Sequence, residues 1–381
     1  MINVVEVKTK KQQKQFLDFP LELYKDNDNF VPPLYGDEKK IFRPDYIYYD
    51  TCEAVYFNAY DESGKMVGRI SGILQKASNE KHGERRVRFT RFDAINDEDV
   101  AKALFCALEE WALDKGMDTI CGPLGFSDLE REGLLVEGFD ELATFEEQYN
   151  ADYYGALIEK CGYAKEVDWV ESRIYPPKQV DEELKKMSDF IMKRYKLTCG
   201  TAKTKREFLD KYKDGFFDLL DTAYEGLYGT VPFTDGMKKM LIDNFMLIID
   251  LNNITVLLDE NGRVVCFGLC FPSIARALQK SKGKLTPAAL IRLLKAIKHP
   301  KTIDLGLVAV APEYLNRGVA AIVVEKLAEM LVRGGYEYAE TNLNLETNHA
   351  VRNMWKRFES VEHKRRRSYV KVIERKEDEN V

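Results

Sequence analysis

The stretch from Val308 to Leu331 begins as a β-branched strand, turns at Pro312, and passes through Arg317, Gly318 and the small residues Ala320 and Ala321. It then continues with the apolar periodicity of a helix. A helix entered through a glycine holds several backbone N–H groups without intrahelical partners at the positive end of its dipole, so such a mouth suits an anion, a phosphate above all. Carboxylates stand close by in sequence. Asp304, Gly306, Val308 and Val310 share one face of a regular strand, and Glu340, Asn342 and Asn344 share one face of the next. Polar side chains on a central strand call for either a substrate-facing cleft or a wet sheet face.

The elements that must position these residues recur in a fixed order. In the first half, "AVYFNAYDESGKMVGRISGIL" reads as a hairpin turning at Ser63 and Gly64, followed by the strand "VRFTRFDAI". A helix with Asp97 and Asp99 at its start and Gly116 at its end comes next, then a strand "DTICGPL", a helix ending at Gly162 and a strand "DWVESRIY". The second half repeats the order, with a hairpin at Asn261-Gly262, the strand "KTIDLGLVAV", the helix after Gly318, the strand "YEYAETNLNL", the helix "NHAVRNMWKRFES" and the strand "RRSYVKVI". This is a structural duplication with little literal identity. The Pro pair and charged helix start at Tyr175–Met187 set the boundary, giving domains 1–178 and 179–381 of an α/β protein with mixed, α+β-like sheets. The second half carries an extra segment at 273–300 whose amphipathic helix starts at Thr286-Pro287 and ends near Pro300. It either covers the substrate side of the sheet or pads the core.

A chain of 381 residues exceeds the usual size of a single core, and 45% apolar with 31% charged residues is ordinary for a globular protein. The net charge of −6 argues against nucleic acid as a partner, and the basic run "HKRRRSY" (His363 to Tyr369) reads as the solvated face of a strand. Four histidines outside metal spacing argue against a metal site. Seven scattered cysteines fit reduced, mostly buried thiols, Cys266 and Cys270 among the buried ones. Tyr149, Tyr153 and Tyr154 read as helix-core packing, and "GPLGFSD" as a turn without a nucleophile. No secretion signal is legible at the start and no apolar run reaches about 18 residues, so the expectation is a cytoplasmic protein with no membrane partner.

The second half resembles the GNAT superfamily of acyl-CoA N-acyltransferases, in which the fourth strand ends in a V-x-P-like turn before R/Q-x-x-G-x-G/A. Here Val310, Ala311 and Pro312 make the turn, and Arg317, Gly318, Val319 and Ala320 make the helix start, with Leu315 at the motif's first Arg or Gln. Wider stretches, "FVPPLYGDEKKIF", "EEWALDKGMDTICGPLGFSDLEREGLLVEGFD" and "YNADYYGALIEKCGYAK", look like a family of long bacterial proteins with two tandem GNAT-like halves, the first degenerate. The resemblance implies that the N–H groups of Leu315, Asn316, Arg317, Gly318, Val319, Ala320 and Ala321 cradle the pyrophosphate of acetyl-CoA or another acyl-CoA. It further implies that Val308 and Val310 offer backbone groups to the pantetheine arm and that Asn348 helps hold the cofactor, although a plain helix cap accounts for Asn348 equally well. Asp304 takes the place of an acid found on this strand in several members, and Glu340 is the second candidate for proton transfer. Where many members place a Tyr acid this chain has Met354 and Trp355, which leaves the general acid unassigned. The first half has Asp97, Glu98 and Asp99 where the phosphate loop would be, so no coenzyme A is expected there.

The resemblance thus implies transfer of an acetyl or other acyl group to an amine of a small molecule or peptide, with the first half shaping the acceptor site or a homodimer interface. Two other readings fit the departures from the motif. One is a non-catalytic acyl-CoA or metabolite-binding regulator; the other is an aminoacyl transferase, which would need a basic groove for tRNA.

Overall fold

The computed structural model describes residues 1–374. The first half runs β1 (Asn3–Glu6), α1 (Lys10–Leu23), the short α2 (Tyr35–Glu38), the hairpin of β2 (Cys52–Tyr60) and β3 (Met66–Gln75), α3 (Lys76–His82), β4 (Arg86–Ala94), α4 (Glu98–Asp114), β5 (Thr119–Gly122), β6 (Leu134–Glu137), α5 (Tyr154–Lys160) and β7 (Ala164–Ile174). The second half starts with α6 (Glu182–Arg194), β8 (Thr198–Cys199), α7 (Lys205–Tyr224) and α8 (Asp235–Ile248), then the hairpin of β9 (Ile254–Leu258) and β10 (Val264–Pro272). It continues through α9 (Ala275–Ser281), α10 (Pro287–Lys298), β11 (Thr302–Val310), α11 (Val319–Gly334), β12 (Tyr338–Thr341), β13 (Asn344–Leu345), α12 (His349–Trp355) and β14 (Ser360–Val372). The order hairpin, strand, helix, strand, helix, strand therefore occurs twice, as the sequence pattern predicts.

Local chemistry explains the repetition. Each hairpin turns on an aspartate whose carboxylate gathers the loop N–H groups. Asp61 accepts from Ser63 and Lys65 at 2.9 Å each, and Asp259 accepts from Asn261 at 2.9 Å and Arg263 at 3.0 Å. Asp97 caps α4 by accepting from the N–H groups of Asp99 and Val100. Helix α4 buries Val100, Leu104 and Leu108, and α11 buries Val319, Ile322, Val323 and Leu327, at the spacing that keeps one helix face on a sheet.

Contacts group the chain into two compact units, one made of residues 1–169, 275–290 and 364–374, the other of 170–274 and 291–363. In the first, the strand order is β1-β2-β3-β4-β5-β14; in the second, β7-β12-β11-β10-β9-β8. The final strand, β14, serves the first unit from Lys364 onward, with Tyr369 opposite Gly122 of β5.

That placement corrects the reading of the basic run. Lys364, Arg366 and Ser368 are buried, Arg366 completely. Arg366 donates to the Gln148 carbonyl and lies 3.8 Å from Glu147, and Lys364 donates to the Leu142 carbonyl at 3.4 Å. Arg367, on the other face, makes two bonds to the Asp168 carboxylate at 2.8 and 3.0 Å. One face of the strand is buried and the other, with Arg365 and Arg367, is half-buried, so its charges are paired rather than simply solvated.

Both halves interrupt the strand after the hairpin with an extra residue. In β4 the register passes from Arg69–Asp93 to Ser71–Thr90, so Arg91 and Phe92 together oppose Ile70, and Arg91 takes φ 51°. In β11 it passes from Cys270–Leu305 to Leu269–Leu307, so Gly306 has no partner in β10. Arg91 donates to Glu38 at 3.0 Å. Burial opposes ionisation of Glu38, but the Arg91 guanidinium outweighs it and holds the carboxyl at about 2.

A carboxyl depressed in the folded state stabilises above its unfolded pKa, and the stabilisation is lost as pH falls toward the folded value. Urea unfolding should therefore show stability dropping between about pH 4.5 and pH 2, by an amount on the order of 1–3 kcal/mol, and Glu38→Gln should flatten that part of the curve. A variant that loses stability as steeply as wild type over the same range would place the acid sensitivity elsewhere.

Candidate functional site

The parallel pairing of β11 with β12 runs from Thr302–Tyr338 to Leu305–Thr341, and the Asn342 N–H closes it by donating to the Leu305 carbonyl at 3.2 Å. Beyond that point β11 continues along β10 alone, with Val308 opposite Gly268 and Val310 opposite Cys266. The strand that pairs with both neighbours up to Leu305 thus leaves one edge of 306–310 without a strand partner among the described residues. The divergence coincides with the bulge. A Cβ on Gly306 would lie 2.2 Å from the Phe271 ring, so only glycine fits there. The Tyr224 hydroxyl, at the end of α7, donates to the Val308 carbonyl at 3.2 Å.

The bulge also corrects the expected faces. Cross-strand partners share a face, so Asp304 belongs with Phe271 and, after the extra residue, with Leu307 and Ala309; Val308 and Val310 lie on the opposite face. Glu340 is the partner of Asp304 in β12, and Arg173 of β7 is the partner of Glu340. The structure therefore brings the two candidate acids side by side, both buried. His363 Nε2 lies 2.6 Å from Glu340 Oε1, and Arg173 Nε lies 3.6 Å from Glu340 Oε2. The Arg173 guanidinium sits 4.4 Å from the centre of the Tyr338 ring. Buried acids are tolerable in such company, and a carboxylate against an imidazole is an arrangement that can pass a proton.

Asn342 and Asn344 do not extend this row as the alternation suggests. β12 ends at Thr341, Asn342 accepts from the Leu343 N–H at 2.8 Å, and Asn344 accepts from the Trp355 indole at 2.7 Å. Their polarity closes a turn.

The helix mouth lies past the end of β11. Pro312–Arg317 forms a tight 3-10 stretch, Gly318 takes φ 79°, and α11 follows. Leu315, Asn316, Arg317 and Gly318 are exposed, Val319 is buried, and Ala320 and Ala321 are half-buried. Of the first N–H groups of α11, that of Ala321 donates to the Gly318 carbonyl at 2.9 Å, while those of Val319 and Ala320 have no acceptor within the helix, by its geometry. Arg317 lies over the rings of Tyr195 and Tyr314, at 5.3 and 5.1 Å, which parks a cation beside the mouth. Gly318 is required by its backbone angle and by Ile191, whose Cδ1 would stand 3.0 Å from an added Cβ. Asn348 caps α12, accepting from the Val351 N–H at 3.3 Å. Met354 and Trp355 are buried.

On the face shared with Asp304, a narrow slot with a cavity volume of about 50 Å³ opens between α7, α8 and strands β9 and β10. Its lining is apolar, with Phe216, Ile242, Phe245, Val256, Phe267 and Leu269 among the contributors. Leu269 is the residue opposite Leu307, next to the bulge. The sequence pattern missed this slot, and with it Tyr224, Arg173 and the pairing of His363. Tyr224 stands in no motif, and His363 was visible only as the first residue of a basic run.

Residues 214–359 match the acetyltransferase (GNAT) family. The whole chain is 27% identical to Protein YghO of Escherichia coli K12, over 96% of this chain and 94% of that protein. It is 24% identical to a protein named bacterial ceramide synthase from Caulobacter vibrioides, over 98% of each. Among solved structures, a tandem GNAT protein from the clavulanic acid biosynthesis pathway superposes with a TM-score of 0.55 at 11% identity, covering 99% of this chain and 100% of that one. A GCN5-related N-acetyltransferase from Sphaerobacter thermophilus gives 0.52 at 13%, covering 99% and 97%. Both show a shared fold of two GNAT-like halves.

The mouth of α11 suits a diphosphate by its exposed N–H groups and its nearby cation, so Arg317→Glu should weaken acetyl-CoA binding in calorimetric titration by roughly tenfold or more, with an unchanged melting temperature. Equal affinity in the variant would mean that the mouth is only a connection. A substitution at Gly318 would be a poorer test, because backbone strain and the Ile191 contact would lower stability on their own.

Proposed function

We propose that this chain, whose residues 214–359 match the acetyltransferase (GNAT) family, transfers an acyl group from coenzyme A to an amine, and that the group is a long fatty acyl chain. The observation that carries the chain length is the apolar slot, whose lining reaches the bulge through Leu269. Its walls offer nothing to a polar group, and at about 50 Å³ it is a narrow cleft that a long chain would enter by parting α7 and α8. The name borne by the Caulobacter relative agrees with this, since a ceramide is an amino lipid acylated on nitrogen. An amine on a long-chain amino alcohol is accordingly the acceptor class we favour.

Acyl-CoA supplies the thioester. The amide bond forms as the amine nitrogen attacks the carbonyl carbon and the C–S bond breaks, releasing the thiol. The residues of this chain divide the remaining work. The helix start after Gly318, through the N–H groups of Val319 and Ala320 and with the Arg317 guanidinium, holds the diphosphate. The open edge at Val308 and Val310 pairs with the pantetheine arm as an added strand would. The bulge at Gly306 turns backbone N–H toward the carbonyl oxygen, where a fixed donor is worth most as charge develops. Asp304 and Glu340 accept the amine proton, with His363 as the group that Glu340 holds in place. Tyr224 is the general acid for the leaving thiolate, taking the role for which the sequence offers no candidate.

Release of coenzyme A from acetyl-, octanoyl- and hexadecanoyl-CoA, measured with a long-chain amino alcohol as acceptor, tests the reading. Hexadecanoyl transfer should exceed acetyl transfer by at least about tenfold in kcat/KM. Ile242→Trp, which fills the slot from a half-exposed position, should remove about tenfold of that preference while sparing acetyl transfer. Equal rates along the series would overturn the chain-length assignment, and binding without transfer to any amine would leave a binding module. Tyr224→Phe should lower kcat by about a hundredfold with little change in KM; an unchanged kcat would remove Tyr224 from the reaction.

A further inference from the structure

The segment between the second hairpin and β11 is chemically unlike the rest of the chain. Residues 273–303 contain eight lysines and arginines and no aspartate or glutamate, in a protein whose net charge is −6. Its first helix, α9, is fastened by backbone contacts: Gln279 donates to the carbonyls of Asp28 at 2.7 Å and Phe30 at 3.2 Å. Leu278 of the same helix is buried. The segment is therefore anchored at its start.

Helix α10 is different. Thr286 accepts from the Ala289 N–H at 3.2 Å and caps it, and Ala289 is its one buried residue. Leu293, Ala296 and Ile297 are half-buried and, with Ala289, make the inward face. On the adjoining outward arc, Leu290 is 47%, Ile291 68% and Leu294 56% exposed, and Leu285 just before the helix is 60% exposed. At about 100° per residue, the apolar positions sweep more than half the circumference, well beyond what the protein covers. Lys295 and Arg292 occupy the remaining arc, and Lys298, a turn beyond Leu294, lies between Leu294 and Ile291 at the end of the helix.

An outward apolar stripe bordered by cations is the pattern of a helix lying in the plane of a bilayer interface. We propose that α10 is a membrane-surface helix that seats Leu290, Ile291 and Leu294 among the lipid chains and sets Arg292, Lys295 and Lys298 against anionic headgroups. The occupant follows from charge complementarity: eight cations without an acid match an anionic lipid surface, and the chain's net negative charge elsewhere gives that surface no other reason to attract it. The expectation of no membrane partner considered spanning segments and average charge, neither of which registers a short interfacial helix. This inference does not depend on the acyl-transfer reading, although a lipid-borne amine would be met at the same surface.

Co-sedimentation of the full chain with vesicles tests it, using one set of equal parts phosphatidylglycerol and phosphatidylcholine and one of phosphatidylcholine alone. The expected result is binding to the anionic set, weakened by salt and about tenfold stronger than to the neutral set. Ile291→Ser with Leu294→Ser, and separately Lys295→Glu with Lys298→Glu, should each reduce binding by about tenfold. All four positions are exposed, so melting temperature and circular dichroism should match wild type. No binding of wild type, equal binding to both vesicle sets, or variants that bind as well as wild type would overturn the proposal. So would concentration-dependent self-association, seen by light scattering without vesicles and abolished by the serine variant, since the face would then belong to a second copy of the chain.

Discussion

One extra residue in β11 governs the second half of the molecule. At Gly306 the strand falls out of step with β10, and its pairing with β12 ends at Leu305. A backbone edge that would be satisfied in a regular sheet is thereby left for something else to pair. The same offset exchanges the faces on either side of it, putting Asp304 with Leu307 and Ala309 and turning Val308 and Val310 the other way. The residue must be glycine because Phe271 fills the space where a side chain would begin. Polar row, open strand edge and apolar slot all meet at this offset.

The first half carries the same interruption and uses it otherwise. Its extra residue is Arg91, held at φ 51° with its guanidinium on Glu38 and 4.0 Å from Glu130. A strained, charged residue with two carboxylates nearby is a structural tie, and Asp97 satisfies the helix start that would otherwise attract an anion. Duplication preserved the backbone device in both halves. The side chains at the bulge and at the following helix differ, Arg91 and Asp97 in one half against Gly306 and Gly318 in the other.

Buried charge marks both units. Arg366 and Asp168 in the first, and Asp304, Glu340 and His363 in the second, lie almost wholly out of water. Arg366 has the Gln148 carbonyl, Asp168 has Arg367, and Glu340 has His363 within reach, which is the condition for burial at tolerable cost. In β14 the alternation sends Arg366 inward and Arg367 to Asp168, so a run that looks like a surface stripe in sequence is an interior fixture.

The sequence alone determined what depends on neighbours a few residues apart. Ser63-Gly64 and Asn261-Gly262 mark the hairpins because such pairs suit a tight turn between two β-like runs, and the apolar spacing after Gly318 marks α11 because one helix turn repeats every 3.6 residues. Hence the duplicated order, the helix mouth and the family resemblance were legible without coordinates. The bulge at Gly306 was not, because it is defined by which β10 residue stands opposite, and a shift of one residue reverses every face that alternation predicts. His363 joins Glu340, Tyr224 reaches Val308 and β14 enters the first unit through contacts 23, 84 and 247 positions apart. Only packing selects such pairs, since loop closure over those lengths costs nearly the same for many alternatives and buried area decides among them.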